Sequence, residues 1–127
     1  MIVGIGTDIC QLDRIKKLLS GDKKEAFLKR SFTKKEIDNL PSEKREVSYY
    51  AGRWAAKEAV AKCFGTGFGE HCRWLDIDIL RNEKGAPFVN LSGKTAETAA
   101  SMKIDVIHVS ISHEKEYAVA FATAEQR

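Results

Sequence analysis

"RWAAKEAVAK", residues 53–62, decides the fold of this chain. Ala, Lys, Glu and Arg are strong helix formers, so the stretch reads as helix. At about 100° per residue, Trp54, Ala55 and Ala61 surround Glu58 on its own face. Ala56, Ala59, Val60, Cys63 and Phe64 fill most of the remaining circumference. A helix apolar nearly all round belongs in a core. The stretch therefore predicts a long central helix over about 43–64. It also raises the question of why a carboxylate sits in it.

On the N-terminal side, "MIVGIGTDIC" (residues 1–10) reads as a buried strand over 2–9 that starts at the first residue. It has no basic leader region, which argues against an export signal. Residues 11–19 read as a helix, "SGD" (20–22) interrupts it, and a second helical piece runs to Arg30. Thr33 and Glu36 form a T-x-x-E capping box that starts a further short helix. Ser42, after Pro41, is the expected N-cap of the central helix.

On the C-terminal side, "GTGFG" (65–69) ends the helix, with Gly65 as the C-cap. "WLDIDIL" (74–80) alternates strictly and predicts a half-buried strand. "NEKG" turns the chain and "APFVNL" returns it as a hairpin. Ser92 is the expected cap of a small-residue helix through "KTAETAASM". "IDVIHVSIS" and "YAVAFAT" form a last hairpin that turns at "HEKE". The order β-α-α-α-β-β-α-β-β defines one α+β domain over 1–127. Its mostly antiparallel sheet packs against the long central helix.

Composition narrows the function classes. The chain has 127 residues, 43% of them hydrophobic, and two prolines, which excludes a disordered or fibrous protein. No apolar run is long enough to cross a bilayer, so no membrane role is expected. Cys10, Cys63 and Cys72 are scattered, as expected of reduced thiols in a cytoplasm. His71 and Cys72 lack the second pair that a structural zinc site needs. Net charge is +3, yet residues 13–35 hold nine Lys/Arg and three acids, a local +6. Such a field attracts a nucleic acid, an anionic membrane or an acidic protein, although a solvated helix face explains the charge more simply.

Two acids stand out. Asp8 lies in or at the end of the first strand and Glu58 in the apolar helix. A buried carboxylate is costly unless paired or coordinated. Together they could hold a hard cation, because magnesium takes one or two carboxylates plus waters and phosphate oxygens. The simpler account pairs Glu58 with Lys62 at i,i+4 and lets Asp8 cap the helix near Gln11, and residues alone favour it. Lys62, one turn past Glu58, would then meet a phosphate only if a metal takes Glu58. Arg53 and Lys57 could add positive field, with solvent exposure preferred for Lys57. The glycines of "GIGTD" (4–8) and "GTGFG" fit neither a dinucleotide fingerprint nor a Walker loop, and glycine turns explain them. In the penultimate strand, period two puts Val106, His108, Ser110 and Ser112 on one face, a polar row that suits a ligand surface.

"GIGTDI", "FTKKEI", "GRWAAKEAVAKCFGTGFG", "NEKGAPF" and "HVSISHEKEYAVAFA" occur in this order from residue 1 to about 123. Together they resemble the holo-acyl-carrier-protein synthases, the small single-domain phosphopantetheinyl transferases. Thr7 departs from the apolar residue often found there. The resemblance implies the 4'-phosphopantetheinyl transferase fold. It implies transfer of the phosphopantetheine arm of coenzyme A to a serine of apo acyl carrier protein, releasing adenosine 3',5'-bisphosphate and serving fatty acid biosynthesis. It implies Mg²⁺ held by Asp8 and Glu58, which reverses the preference for the helix salt bridge. Glu58, or a water held by Asp8 and Glu58, would take the serine proton. Lys62 would stabilise or protonate the leaving phosphate. Arg53, Lys62, Gly65 and His108 would bind coenzyme A. Arg14, Lys17 and Leu18 would dock the acidic carrier. A cytoplasmic homotrimer with sites between subunits is also implied. Three rivals remain at this point. A nucleic-acid module would bind independently of Glu58, a metal-dependent hydrolase would cleave coenzyme A without a carrier, and an inactive carrier-binding protein would lack need of the two acids.

Overall fold

The alanine-rich stretch is the middle of α4 (Glu46–Cys63), which has twelve buried residues among its eighteen. The structure, a computed structural model, describes residues 1–127. Before α4 come β1 (Ile2–Gln11), α1 (Leu12–Ser20), α2 (Lys24–Ser31) and α3 (Lys34–Asp38). After it come β2 (Ile77–Arg81), β3 (Pro87–Leu91), α5 (Gly93–Ser101), β4 (Val106–His113) and β5 (Tyr117–Glu125). Four α-helices, one more than the predicted order, precede the first hairpin. The fold is α+β with every strand pairing antiparallel, in a three-stranded sheet β1-β5-β4 and a two-stranded sheet β2-β3.

α4 packs along the inner face of the three-stranded sheet. That face is built for close approach. β5 offers Ala118, Ala120, Ala122 and Ala124, all essentially without exposure, and α4 answers with Ala51, Ala55, Ala56 and Ala59. In β1 the inward residues are Gly4, Gly6, Asp8 and Cys10, because they pair with those alanines. A Cβ on Gly4 would collide with the Cys63 carbonyl, and one on Gly6 with the Ala59 carbonyl. These two glycines belong to a strand and admit the helix backbone; they make no turn, contrary to the simpler sequence reading.

The outer face is open, which corrects the expectation of a wholly buried first strand. Ile5 is 69% exposed, Ile9 65% and Phe121 55%. The register aligns Ile5 with Thr123 and His108, Thr7 with Phe121 and Ser110, and Ile9 with Val119 and Ser112. The polar row on β4 is thus exposed as predicted, while Ile107 points into the core.

Several local expectations change for physical reasons. The capping box holds: Thr33 Oγ1 accepts from Glu36 N (3.2 Å) and Glu36 Oε1 accepts from Thr33 N (2.9 Å). Ser42 caps nothing; a 3₁₀ turn (Glu43–Arg45) intervenes and α4 starts at Glu46. Ser92 does not cap α5 with its side chain. Asp76 does, accepting from Thr95 N and Thr95 Oγ1 at 3.1 Å each. "WLD" forms a 3₁₀ turn, and Asp78 in β2 is buried instead of exposed, accepting from Asn90 Nδ2. Lys57 is the largest reversal. It is fully buried, and its Nζ donates to Glu36 Oε1 at 2.7 Å.

Candidate active site at the contact of β1 and α4

Because glycines let β1 lie against α4, Asp8 at the strand's inner face comes beside the helix turn carrying Glu58 and Lys62. Asp8 is 18% exposed and Lys62 50%. Burial pushes the Asp8 carboxyl above its ordinary range, and the Lys62 ammonium and Arg14 guanidinium pull it back down. Burial also raises Glu58, and the negative charge of Asp8 raises it further, against the pull of Lys62 and Arg14. A carboxylate raised by burial and by a second acid, with two cations acting on both, makes this a candidate functional centre.

Lys62 bears on the simpler sequence reading of these acids. It does not pair with Glu58 along the helix. Its Nζ lies 3.5 Å from Asp8 Oδ1 and donates to the Thr7 carbonyl at 2.8 Å. Asp8 does not cap α1 either; Gln11 occupies the N-cap without a side-chain bond. The helix pair and the cap are thus both absent, and Asp8 takes Lys62 as its partner instead.

Arg14 reaches the same centre from α1. Its guanidinium carbon stands 5.6 Å over the Trp54 ring, a cation–π distance. Arg14, Lys17 and Leu18 line an open groove of about 450 Å³ with Phe27, Arg30 and Trp54. Lys17 is exposed and paired with Asp13 at 3.2 Å. Trp54 begins a row of rings, with Trp74 at 4.4 Å and Phe68 stacked on Trp74 at 3.9 Å. Phe68 ties the glycine loop to this row. Gly65 opens that loop at φ +84°, a conformation that favours glycine, and its N–H donates to the Lys62 carbonyl at 2.9 Å.

Two residues stand elsewhere within the chain. His108 is on the outer sheet face, opposite Asp8, with Nε2 3.1 Å from Glu125 Oε1. Arg53 is buried, its guanidinium carbon 4.4 Å over the Tyr49 ring. Its Nε and Nη2 are buried without an acceptor. Sequence reasoning missed the Thr7 carbonyl, the role of Arg14 beside the acids and the Trp54–Trp74–Phe68 row. The one available signal was the i,i+2 glycine spacing in β1, which announces a close backbone approach. His/Cys/Asp/Glu side chains form no group of three or more suited to a metal, so a metal here would take no more than two of them.

The family model described as "4'-phosphopantetheinyl transferase superfamily" matches residues 4–122. The chain belongs to that superfamily. Within it, the chain is 46% identical over 125 residues to the holo-[acyl-carrier-protein] synthase of Clostridium novyi (strain NT), covering 98% of this chain and 88% of the relative. The crystal structure of the Neisseria meningitidis holo-[acyl-carrier-protein] synthase superposes with TM-score 0.89 at 36% identity, covering 99% of this chain and 100% of that one. The synthase of Bacillus anthracis, solved in complex with CoA (3',5'-ADP), superposes with TM-score 0.82 at 37% identity, covering 100% and 99%. Homology thus makes the chain an enzyme of the phosphopantetheinyl transferase type.

Proposed function

We propose that one domain over residues 1–127 transfers the 4'-phosphopantetheine arm of coenzyme A to a serine of an acidic apo acyl carrier protein. The reaction depends on Mg²⁺, releases adenosine 3',5'-bisphosphate and serves fatty acid biosynthesis in the cytoplasm. The observation that carries this reading is the meeting of Asp8, Glu58 and Lys62 at the β1–α4 contact. The Bacillus anthracis relative was solved with coenzyme A, and that supports the choice of donor. No helix of the chain is long and apolar enough to cross a membrane.

The acids fit the metal. Magnesium accepts one or two protein carboxylates and fills its other positions with water and substrate phosphate. An ammonium already sits 3.5 Å from Asp8, so the centre attracts cations. Mg²⁺ held by Asp8 and Glu58 would supply charge neutralisation for the coenzyme's pyrophosphate. The chain's own residues do the rest. Asp8 and Glu58 hold the cation. Glu58, or a water held by Asp8 and Glu58, accepts the proton of the attacking serine hydroxyl. Lys62 stabilises the leaving phosphate as a point charge. Gly65 lets the coenzyme approach the backbone after α4, where a side chain would need a strained φ.

Arg14, Lys17 and Leu18 dock the carrier in the groove beside Trp54, so that its serine arrives next to the acids. Arg53 and His108 bind the coenzyme from a neighbouring copy in a homotrimer. The exposed imidazole of His108 on the open outer face supports its share, whereas Arg53 is buried within its own chain over Tyr49. The apolar outer face around Ile5, Ile9 and Phe121 supports the trimer.

The test is the intact mass of an apo acyl carrier protein after incubation with coenzyme A and Mg²⁺. A gain of one phosphopantetheine is expected. Glu58→Gln should lower its rate by roughly 10²–10⁴-fold, and a chelator should abolish it. No gain with several carriers refutes the proposal.

A further inference from the structure

Lys62 carries more than a phosphate contact. Its stem lies against Gly6, where an added Cβ would meet Lys62 Cβ at 3.0 Å. Its ammonium is held at two points, 2.8 Å from the Thr7 carbonyl and 3.5 Å from Asp8 Oδ1. A carbonyl oxygen and a carboxylate oxygen are the donors a hard cation seeks, so the ammonium stands where a divalent ion would bind. The side chain is half exposed and rotates about a flexible four-carbon stem, so it is free to leave.

We propose that Lys62 is a tethered counter-cation which competes with the divalent metal for Asp8 and is drawn off it by the coenzyme's pyrophosphate. This rests on the metal and coenzyme reading above. Its consequence is an order of loading. In the free protein the ammonium weakens metal binding. Once phosphate oxygens are present, the ammonium exchanges Asp8 for them, and the vacated carboxylate oxygen serves the metal. Metal and coenzyme therefore bind with positive coupling, and by linkage each tightens the other by the same factor. The exchange makes and breaks no covalent bond. A metal-free protein keeps its two acids partly neutralised, so they do not repel each other apart before substrate arrives.

The experiment is a Mn²⁺ titration of the full chain, reading free hexaaquo manganese by electron paramagnetic resonance, without and with coenzyme A. The proteins are wild type, Lys62→Met, Asp8→Asn and a charge control, Lys34→Met. Lys34 pairs with Asp38 at 3.0 Å and is not among the charges felt by Asp8 or Glu58. Without coenzyme, Lys62→Met should bind manganese roughly two- to fivefold more tightly than wild type, the range of a partly exposed ion pair, and Lys34→Met should match wild type. Coenzyme should tighten manganese binding more in wild type than in Lys62→Met. Equal or weaker binding by Lys62→Met overturns the proposal while leaving the metal site intact. Manganese binding that Asp8→Asn leaves unchanged refutes the metal reading itself, and this inference with it.

Discussion

Replacing Lys57 by Met should unfold the protein far more easily than any exposed lysine would. Lys57 Nζ and Glu36 Oε1 are 2.7 Å apart with neither side chain exposed. Glu36 also accepts from Thr33 N and Ile79 N at 2.9 Å each, so one carboxylate joins α3, β2 and α4. Desolvation raises Glu36 and lowers Lys57, and each charge pulls the other back toward its ionised form. Met fills similar volume and removes only the charge. Breaking a buried pair from one side costs about 3–5 kcal/mol. The two remaining backbone donors place Lys57→Met at the lower end. For a chain of 127 residues the unfolding entropy is roughly 0.27 kcal/mol/K, so 3 kcal/mol lowers Tm by about 11 °C. Glu36→Gln should cost at least as much, because its single carbonyl oxygen cannot serve both backbone donors and Lys57 is left unpaired. The sign with pH is also fixed. An unpaired Glu36 is raised further, so the Lys57→Met deficit is smallest below the ordinary carboxylate range near 4.5 and grows as pH rises through the folded value. Urea and thermal melts at one protein concentration read all of this. A Lys57→Met deficit below about 1 kcal/mol would refute the argument, since that is the scale of an exposed pair.

Burial pushes the thiols of Cys10, Cys63 and Cys72 from 9.0 up to about 11. The fold therefore keeps protons that the unfolded chain loses, and stability should fall by on the order of 2–4 kcal/mol between pH 8 and 10 in urea melts, a slope that replacing all three by Ala should flatten. Gly6→Ala should cost about 1–3 kcal/mol through the clash with the Ala59 carbonyl and should also weaken manganese binding; an unchanged melt and metal isotherm would show that β1 can retreat without moving Asp8. Phe121→Glu lies on the open outer face, so it should leave the monomer's fold intact by circular dichroism. It should also drop the sedimenting mass from three times the 14.2 kDa chain mass to one, and a wild type that already sediments as one chain would end the trimer proposal.

What was legible in the sequence was local. The capping box at Thr33 and Glu36, the turn at Gly85 and the period-two rows of β4 depend on neighbours a few residues away, and all appear as read. What was not legible depends on distant segments. Ser92 has the right chemistry for a cap, but Asp76, from the segment before β2, takes the position. Lys57 looks like a surface lysine until α3 and β2 close over it. The acids were found by residue type, but their state was misjudged from the residues alone. An i,i+4 partner for Glu58 was visible in sequence, whereas the Thr7 carbonyl that competes for Lys62 was 55 residues away.

α4 shows why its composition concealed its work. Three charged residues within six positions meet three different fates, set by 100° steps around one helix. Arg53 lies over Tyr49, Lys57 goes into the pair with Glu36, and Glu58 faces β1. No polar face accumulates, so the helix reads as apolar all round. The fates differ in one physical respect. The charge on Lys57 is met in full by a buried carboxylate, which makes it structural. Glu58 faces a second acid and shares two cations with it, so the fold does not complete its pairing. Arg53 has two donors without acceptors. A fold that satisfies its polar groups elsewhere leaves such deficits where something from outside must supply the partner. Glu58, half-buried beside Asp8, is where the proposed cation would supply that partner, whereas the Arg53 donors are sealed inside the chain over Tyr49.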